Sequence, residues 1–410
     1  MKKILIVSDY LDNIWGIETY INNLKILLKD DFEVYYFWWK NITKFKKIWY
    51  LIKSFYNKKY AKKFKKTIDE IKPDIIWFHS TARFLGPEVV KQVKNFKGLK
   101  IVTYHDLWYF HLFANELWDE KQIPQTFSLK DFLKTSKKWK ILFFYSIFKY
   151  LKLKSLKKYL YECMDFHTVP SNFMKDIVIK LNYAPKDKVE VLSNYILKRQ
   201  IIEKKDIYQD KINFIYFWRL EKEKGFWLII YFLSQLWELK FKNRKKYEEL
   251  TSKIRIFIFW DGKRRQQLLE SFDNKDIYWN DIWIIKNLEN EENILNKINE
   301  NDWKFIYYLW KRDFNIIKEF LSFSHYELVP SLFLETFWLS AVEWAANQVI
   351  PIWFNKENIK NFLLDEYKLD PTNPAMNFSN KIFDIIENFD LETWKKQASE
   401  NKKLIEKYII

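Results

Sequence analysis

The sequence predicts an α/β chain built from two doubly wound halves. Three observations carry this. Short apolar runs of strand length alternate with amphipathic stretches of helical spacing. The alternation restarts near residue 211. The length, 410 residues, exceeds one ordinary domain and suits two of roughly 200 residues, each able to bury its own core.

The elements follow in order. Ile4–Val7 is a continuous apolar run, as a strand buried on both faces requires. A loop, LDNIWG, leads into a helix with Ile17, Tyr20, Ile21, Leu24, Leu27 and Leu28 on one stripe. FEVYYF, PDIIWFH, KIVTYHD, HTVPS and VEVLSN are the later strands of this half. The second half opens with the strand INFIYF, the loop WRLEKEKG and the helix FWLIIYFLSQL. IRIFIFWDG, WKFIYYLW, YELVPS and VIPIW are further strands, with SAVEWAANQ a helix before the last. The polar stretch 196–210 reads as the linker. The expected domains are 1–195, 196–390 and an amphipathic C-terminal helix, 391–410, able to cross back to the first domain.

Composition narrows the class. Hydrophobic residues make up 48% and charged residues 30%, a globular balance. One cysteine excludes a disulfide scaffold and a cysteine-rich metal site, and fits a reducing compartment. No apolar run nears the ~18 residues of a membrane span. The N-terminal MKKILIVSDY is too short in its apolar run for a signal peptide.

Two counts are abnormal. There are 5 Gly, where average usage gives roughly 29, and 20 Trp, normally one of the rarest residues. Charge is also uneven. Residues 1–200 hold 38 basic and 20 acidic side chains, so the whole net charge of +17 lies in the first half.

The segment ELVPSLFLETFWLSAVEWAANQVIPI carries Glu335 and Glu343 eight positions apart. It resembles the paired-glutamate motif of family 4 glycosyltransferases. DNIWGIETYI resembles that family's glycine turn after the first strand, FWRLEKEKG its Arg–Lys loop and FWDGKRRQQL its second-strand turn. YHDL matches its mid-domain His-Asp pair. These matches run in family order from residue 4 to about 353. Trp15, Trp218, Trp260, Trp338 and Trp353 stand where the family pattern has glycine, and Trp310 looks like another. Glycine in a phosphate-binding turn permits positive φ and close backbone approach, whereas an indole fills that space. The pattern suggests a gene that reads the UGA codon as glycine, translated here as Trp.

The resemblance implies GT-B architecture, two Rossmann-like domains facing across a cleft, and a retaining, metal-independent hexosyl transfer. The donor would be a UDP- or GDP-sugar and the acceptor a lipid-linked or saccharide hydroxyl, in cell-surface polysaccharide or glycolipid synthesis. No cofactor and no metal are implied. His105 and Glu335 are the implied catalytic residues, near the donor sugar. Arg219 and Lys224 would hold the diphosphate, Glu343 the ribose hydroxyls, and the N–H groups of Phe337, Trp338 and Leu339 phosphate or sugar. Trp15 and Gly16 form the implied N-terminal phosphate-facing loop. Asp106 could cap or orient. His79, His111, His167 and His325 receive no role.

Residues 44–66 hold ten Lys and no acid, and residues 134–158 nine Lys and no acid, interleaved with aromatic and aliphatic side chains. Such a pattern suits an anionic membrane surface and places the chain in the cytoplasm, peripheral on the inner face of the plasma membrane. A pI near 9.3 also fits a polyanion binder, but no nucleic-acid-binding signature is visible and no specific nucleic acid is expected. If the Trp residues are genuine, the alternative is a donor-binding pseudoenzyme.

Overall fold

The computed structural model is described for residues 1–9, 16–39, 56–114, 117–135, 143–205, 210–218, 220, 224–259, 282–284, 294, 298–310, 314–337, 339–356 and 361–410. Trp15, Arg219, Trp260 and Trp338, as well as residues 40–55 and 136–142 of the basic segments, lie outside these. The chain forms two compact units. The first is Met1–Tyr195 with Leu334–Phe337, and the second is Ile196–Phe333 with Trp338–Ile410.

In the first unit the strands are β1 (Lys2–Ser8), β2 (Phe32–Trp38), β3 (Ile75–Phe78), β4 (Leu99–Thr103), β5 (Phe166–Val169) and β6 (Val189–Val191). They lie in the order β2-β1-β3-β4-β5-β6, with every pairing parallel. Ile4 to Val7 are fully enclosed, which is why β1 reads as an unbroken apolar run. The chain leaves β1 toward β2 on one side and returns to β3 on the other, so the topological switch point lies between β1 and β3.

In the second unit the strands are β7 (Ile212–Phe217), β8 (Ile254–Phe259), β9 (Ile282–Ile284), β10 (Ile306–Trp310), β11 (Tyr326–Val329), β12 (Ile350–Phe354) and β13 (Lys368–Leu369). Their order is β13-β12-β11-β7-β8-β10-β9, again parallel throughout. Here the switch point lies between β7 and β11. The helix Phe226–Lys242 follows β7 and buries Leu228, Ile229, Phe232, Leu233 and Leu236 against the sheet. The final helix, Leu391–Ile405, packs within this second unit, where the Trp394 indole donates to the His325 carbonyl at 3.1 Å.

The N-terminal edge of the second sheet is tied by charge. Buried Arg255 on β8 pairs with Asp210 at 3.0 Å and Asp302 at 2.6 Å. Stability features occupy that edge, which leaves the opposite, C-terminal edge for ligands, where open parallel sheets bind them at the switch point.

The basic segments divide in a way that composition does not show. The helix Lys58–Ile71 buries Ala61 and Phe64 and exposes Lys58, Lys59, Lys62, Lys63, Lys65 and Lys66. The helix Phe143–Cys163 turns Lys149 and Lys152 inward. Lys149 Nζ donates to the Leu112 carbonyl, and Lys152 Nζ to the Arg83 carbonyl at 2.8 Å. Those two lysines are internal ties and not part of a solvent-facing basic face. Among the described residues no helix is long and apolar enough to cross a membrane.

Candidate functional site

Each unit gathers polar side chains at its switch point. In the first unit β1 ends at Ser8 and β3 at Phe78, and the next residues, Asp9 and His79, are both fully buried. Asp9 accepts N–H bonds from Arg83 at 2.8 Å, Phe84 at 3.1 Å and Leu85 at 2.7 Å. Burial pushes its carboxyl up to about 6, against the pull of those N–H groups and of Lys152. The carboxyl therefore fixes the loop that follows His79. Gly16 opens the helix Gly16–Leu28, the next described element after β1.

His105 follows β4 and is 8% exposed. Its Nε2 lies 2.9 Å from His79 Nδ1, with the two rings 19° from parallel. Tyr20 meets the His105 ring edge-on at 4.9 Å. Burial lowers His105 to about 3 and His79 well below its ordinary value, so both imidazoles are neutral and share one proton. His79 received no role from the sequence. Its partner is 26 residues away, and only the adjacency of β3 and β4 joins them. Asp106 caps the turn Leu107–Tyr109 through a 3.0 Å bond from the Trp108 N–H.

The segment Leu334–Phe337 groups with the first unit. The Leu334 N–H donates to the Leu117 carbonyl at 2.9 Å, the Ser171 hydroxyl to the Thr336 carbonyl at 2.9 Å, and the Thr336 hydroxyl to the His105 carbonyl at 2.5 Å. Glu335 therefore stands next in the chain to Thr336, whose hydroxyl meets the His105 carbonyl. Phe337 is buried.

In the second unit Trp218 directly follows β7, and Gly225 caps the helix Phe226–Lys242. Gly225 has φ +68°, and a Cβ there would lie 1.8 Å from the Pro330 carbonyl oxygen. Only glycine lets the β7 loop approach the end of β11 so closely. Lys224 Nζ stands 4.9 Å from the Trp218 ring. The Trp218 indole N–H donates to Glu327 Oε1 at 3.0 Å.

Leu339 begins the helix Leu339–Ala346, and Glu343 lies about one turn in. Burial pushes Glu343 up to about 7, with Lys318 acting against it. Burial holds Glu327 well above the usual carboxylate range, the Trp218 indole opposes this, and the charge of Glu343 adds to it. Lys224, Glu327, Glu343 and residue 218 thus form one set at the β7/β11 switch point. Among the described residues no group of three or more His, Cys, Asp or Glu could hold a metal ion.

No family model matches the chain, and no curated protein matches it in sequence. Its fold recurs in solved structures. Sucrose-phosphate synthase from Thermosynechococcus elongatus aligns over 100% of this chain and 95% of its own, with TM-score 0.64 and 13% identity. HepE from Anabaena, solved in complex with UDP, aligns over 100% and 95%, with TM-score 0.62 and 12% identity. A glycosyltransferase from Rickettsia africae aligns over 99% and 94%, with TM-score 0.59 and 14% identity. The chain has the GT-B fold: two Rossmann-like α/β units, matched over its whole length by these structures.

Proposed function

We propose that this chain is a retaining glycosyltransferase that moves a hexosyl group from a UDP- or GDP-sugar to an acceptor hydroxyl in cell-surface polysaccharide or glycolipid synthesis. What supports the reading is the β7/β11 switch point, where Lys224 stands over the Trp218 ring, the Trp218 indole meets Glu327, and Glu343 acts on that carboxyl. A sugar-diphosphate leaving group develops negative charge that needs cations or helix N-termini. Lys224 and Arg219 supply the cations, and the start of the helix at Leu339 supplies backbone N–H groups. Glu343 accepts from the ribose hydroxyls. His105 and Glu335 meet the donor sugar, and the leaving phosphate oxygen helps take the acceptor proton from the same face. The diphosphate is neutralised without a metal, so turnover persists in EDTA.

Glycine at 15, 218, 260, 338 and 353 is part of this reading. Trp218 immediately follows a strand end, and β10 shifts register between Tyr308 and Trp310, an irregularity where glycine is often found. A second reading, a paralogue with genuine Trp and no transfer activity, draws on Trp353. It is buried, and its indole donates to the Ser331 carbonyl at 3.2 Å. Moreover, among the described residues the positive-φ positions other than glycine are Lys72, Asn182 and Gln348, none of them Trp. Codons separate the two: UGG at 15, 218 and 338 supports the paralogue, and UGA the enzyme.

Membrane contact belongs to the same proposal. On the helix Phe143–Cys163, Phe144, Leu151, Lys154, Lys158 and Tyr161 are exposed at spacings that share one face. Apolar side chains flanked by lysines suit an anionic bilayer surface, on the cytoplasmic side where lipid-linked acceptors are met. The test of the function is hydrolysis or transfer from a panel of nucleotide sugars by protein carrying glycine at the five positions.

A further inference from the structure

Glu327 sits within β11, between Tyr326 and Leu328, and is fully buried. A carboxyl in the middle of a buried parallel strand is out of keeping with the Tyr, Leu and Val around it. Oε1 accepts the Trp218 indole N–H at 3.0 Å, whereas Oε2 has no hydrogen-bond partner among the described residues. Glu327 lies opposite Ile215 on β7 and Pro351 on β12, next to the switch point. Burial, with the second carboxyl of the site, Glu343, adding to it, holds this group well above the usual carboxylate range, which favours the acid form with one O–H donor and one acceptor oxygen.

A buried polar group with an idle oxygen is a cost to the fold that a ligand can remove. The oxygen that is satisfied points at a flat heteroaromatic N–H, in the slot that side chain 218 occupies. With glycine at 218 the slot opens and Oε1, the oxygen that met the indole, is left facing it.

We propose that Glu327 is a donor-binding residue whose carboxyl takes a hydrogen bond from the nucleoside, a ring N–H or a ribose hydroxyl, in the slot filled here by the Trp218 indole. This rests on the donor reading above and on glycine at 218. It assigns the strand, and not only the loops and the helix, a part in reading the nucleotide. It also predicts an opposition of stability and function. An apolar strand-forming residue at 327 removes the idle oxygen and keeps the fold, yet it deletes the ligand contact.

The test uses as parent the full-length protein carrying glycine at 15, 218, 260, 338 and 353, alone or with Glu327→Gln or Glu327→Val added. Calorimetric titration with UDP, GDP and inorganic diphosphate is paired with thermal melting. The Glu327→Val protein should melt no lower than the parent, bind the better nucleotide at least tenfold more weakly, and bind inorganic diphosphate within threefold of it. The Glu327→Gln protein, which keeps a donor and an acceptor, should stay within threefold for all three. Equal nucleotide affinity in the Glu327→Val protein and its parent overturns the assignment while leaving the donor reading in place. A parent, with glycine at the five positions, that binds neither UDP nor GDP overturns both.

Discussion

His79 Nδ1 lies 2.9 Å from His105 Nε2, and the shared proton makes the state of one ring dictate the state of the other. If His79 donates, His105 Nδ1 carries the proton and can donate to a sugar hydroxyl; if His105 donates, Nδ1 is an acceptor. His79 is thereby a positioning residue for His105. His79→Leu should lower turnover roughly tenfold or more with donor Kd within threefold, and cost about 1–3 kcal/mol of stability for the partner left unpaired. His79→Asn should restore part of the turnover. Nitrogen-15 spectra of the histidines should show a changed His105 tautomer balance in the Leu variant. Unchanged His105 resonances and turnover would remove the positioning role.

Gly225→Ala should destabilise the second unit by about 2 kcal/mol or more, because positive φ and a clash with the Pro330 carbonyl act together. Urea unfolding measures this, and an unchanged midpoint would mean the loop and the end of β11 can separate without cost.

How much of this was legible in the sequence depended on where each signal resides. Strands such as Ile212–Phe217 are buried on both faces and announce themselves as apolar runs. β9 and β13, of three and two residues, are too short to stand out. The paired glutamates and the Arg–Lys loop were readable as spacing, but Glu335 and Glu343 were not readable as members of different units. His79 and Glu327 were not legible as site residues, since each is defined by a neighbour brought by strand adjacency. The inward turn of Lys149 and Lys152 was equally hidden, because composition cannot show that an ammonium meets the carbonyls of Leu112 and Arg83.

Donor affinity should rise with pH through the neutral range. Glu343 is pushed up to about 7 by burial, and a carboxylate accepts from ribose hydroxyls better than its acid does. If only the ionised form binds, affinity gains about tenfold between pH 6 and pH 8. Stability has the opposite sign. The folded state holds this proton more tightly than the unfolded one, so the Glu343 contribution grows as pH falls from 7 toward 4.5. Glu343→Gln should flatten both trends, as read by titration calorimetry and melting at each pH. A pH slope in affinity that survives this change would assign it to another group.

Membrane contact should depend on the exposed face of the helix Phe143–Cys163. Phe144→Glu with Lys154→Glu and Lys158→Glu should abolish salt-sensitive binding to anionic vesicles, at roughly 1 kcal/mol per lysine near the surface. Lys149→Met, which changes a buried lysine, should alter stability more than vesicle binding. Cosedimentation reads the binding of both variants, and equal binding of the triple variant would move the contact to another surface.

The central claim is that the β7/β11 switch point binds a nucleotide sugar, and titration of the glycine-carrying protein with UDP- and GDP-sugars tests it most directly. One of the two should bind, with Arg219→Ala and Glu343→Ala each weakening it by about 1.5–3 kcal/mol while the circular dichroism spectrum of the folded protein is kept. Binding of neither donor, or equal affinity in both variants, would contradict the claim.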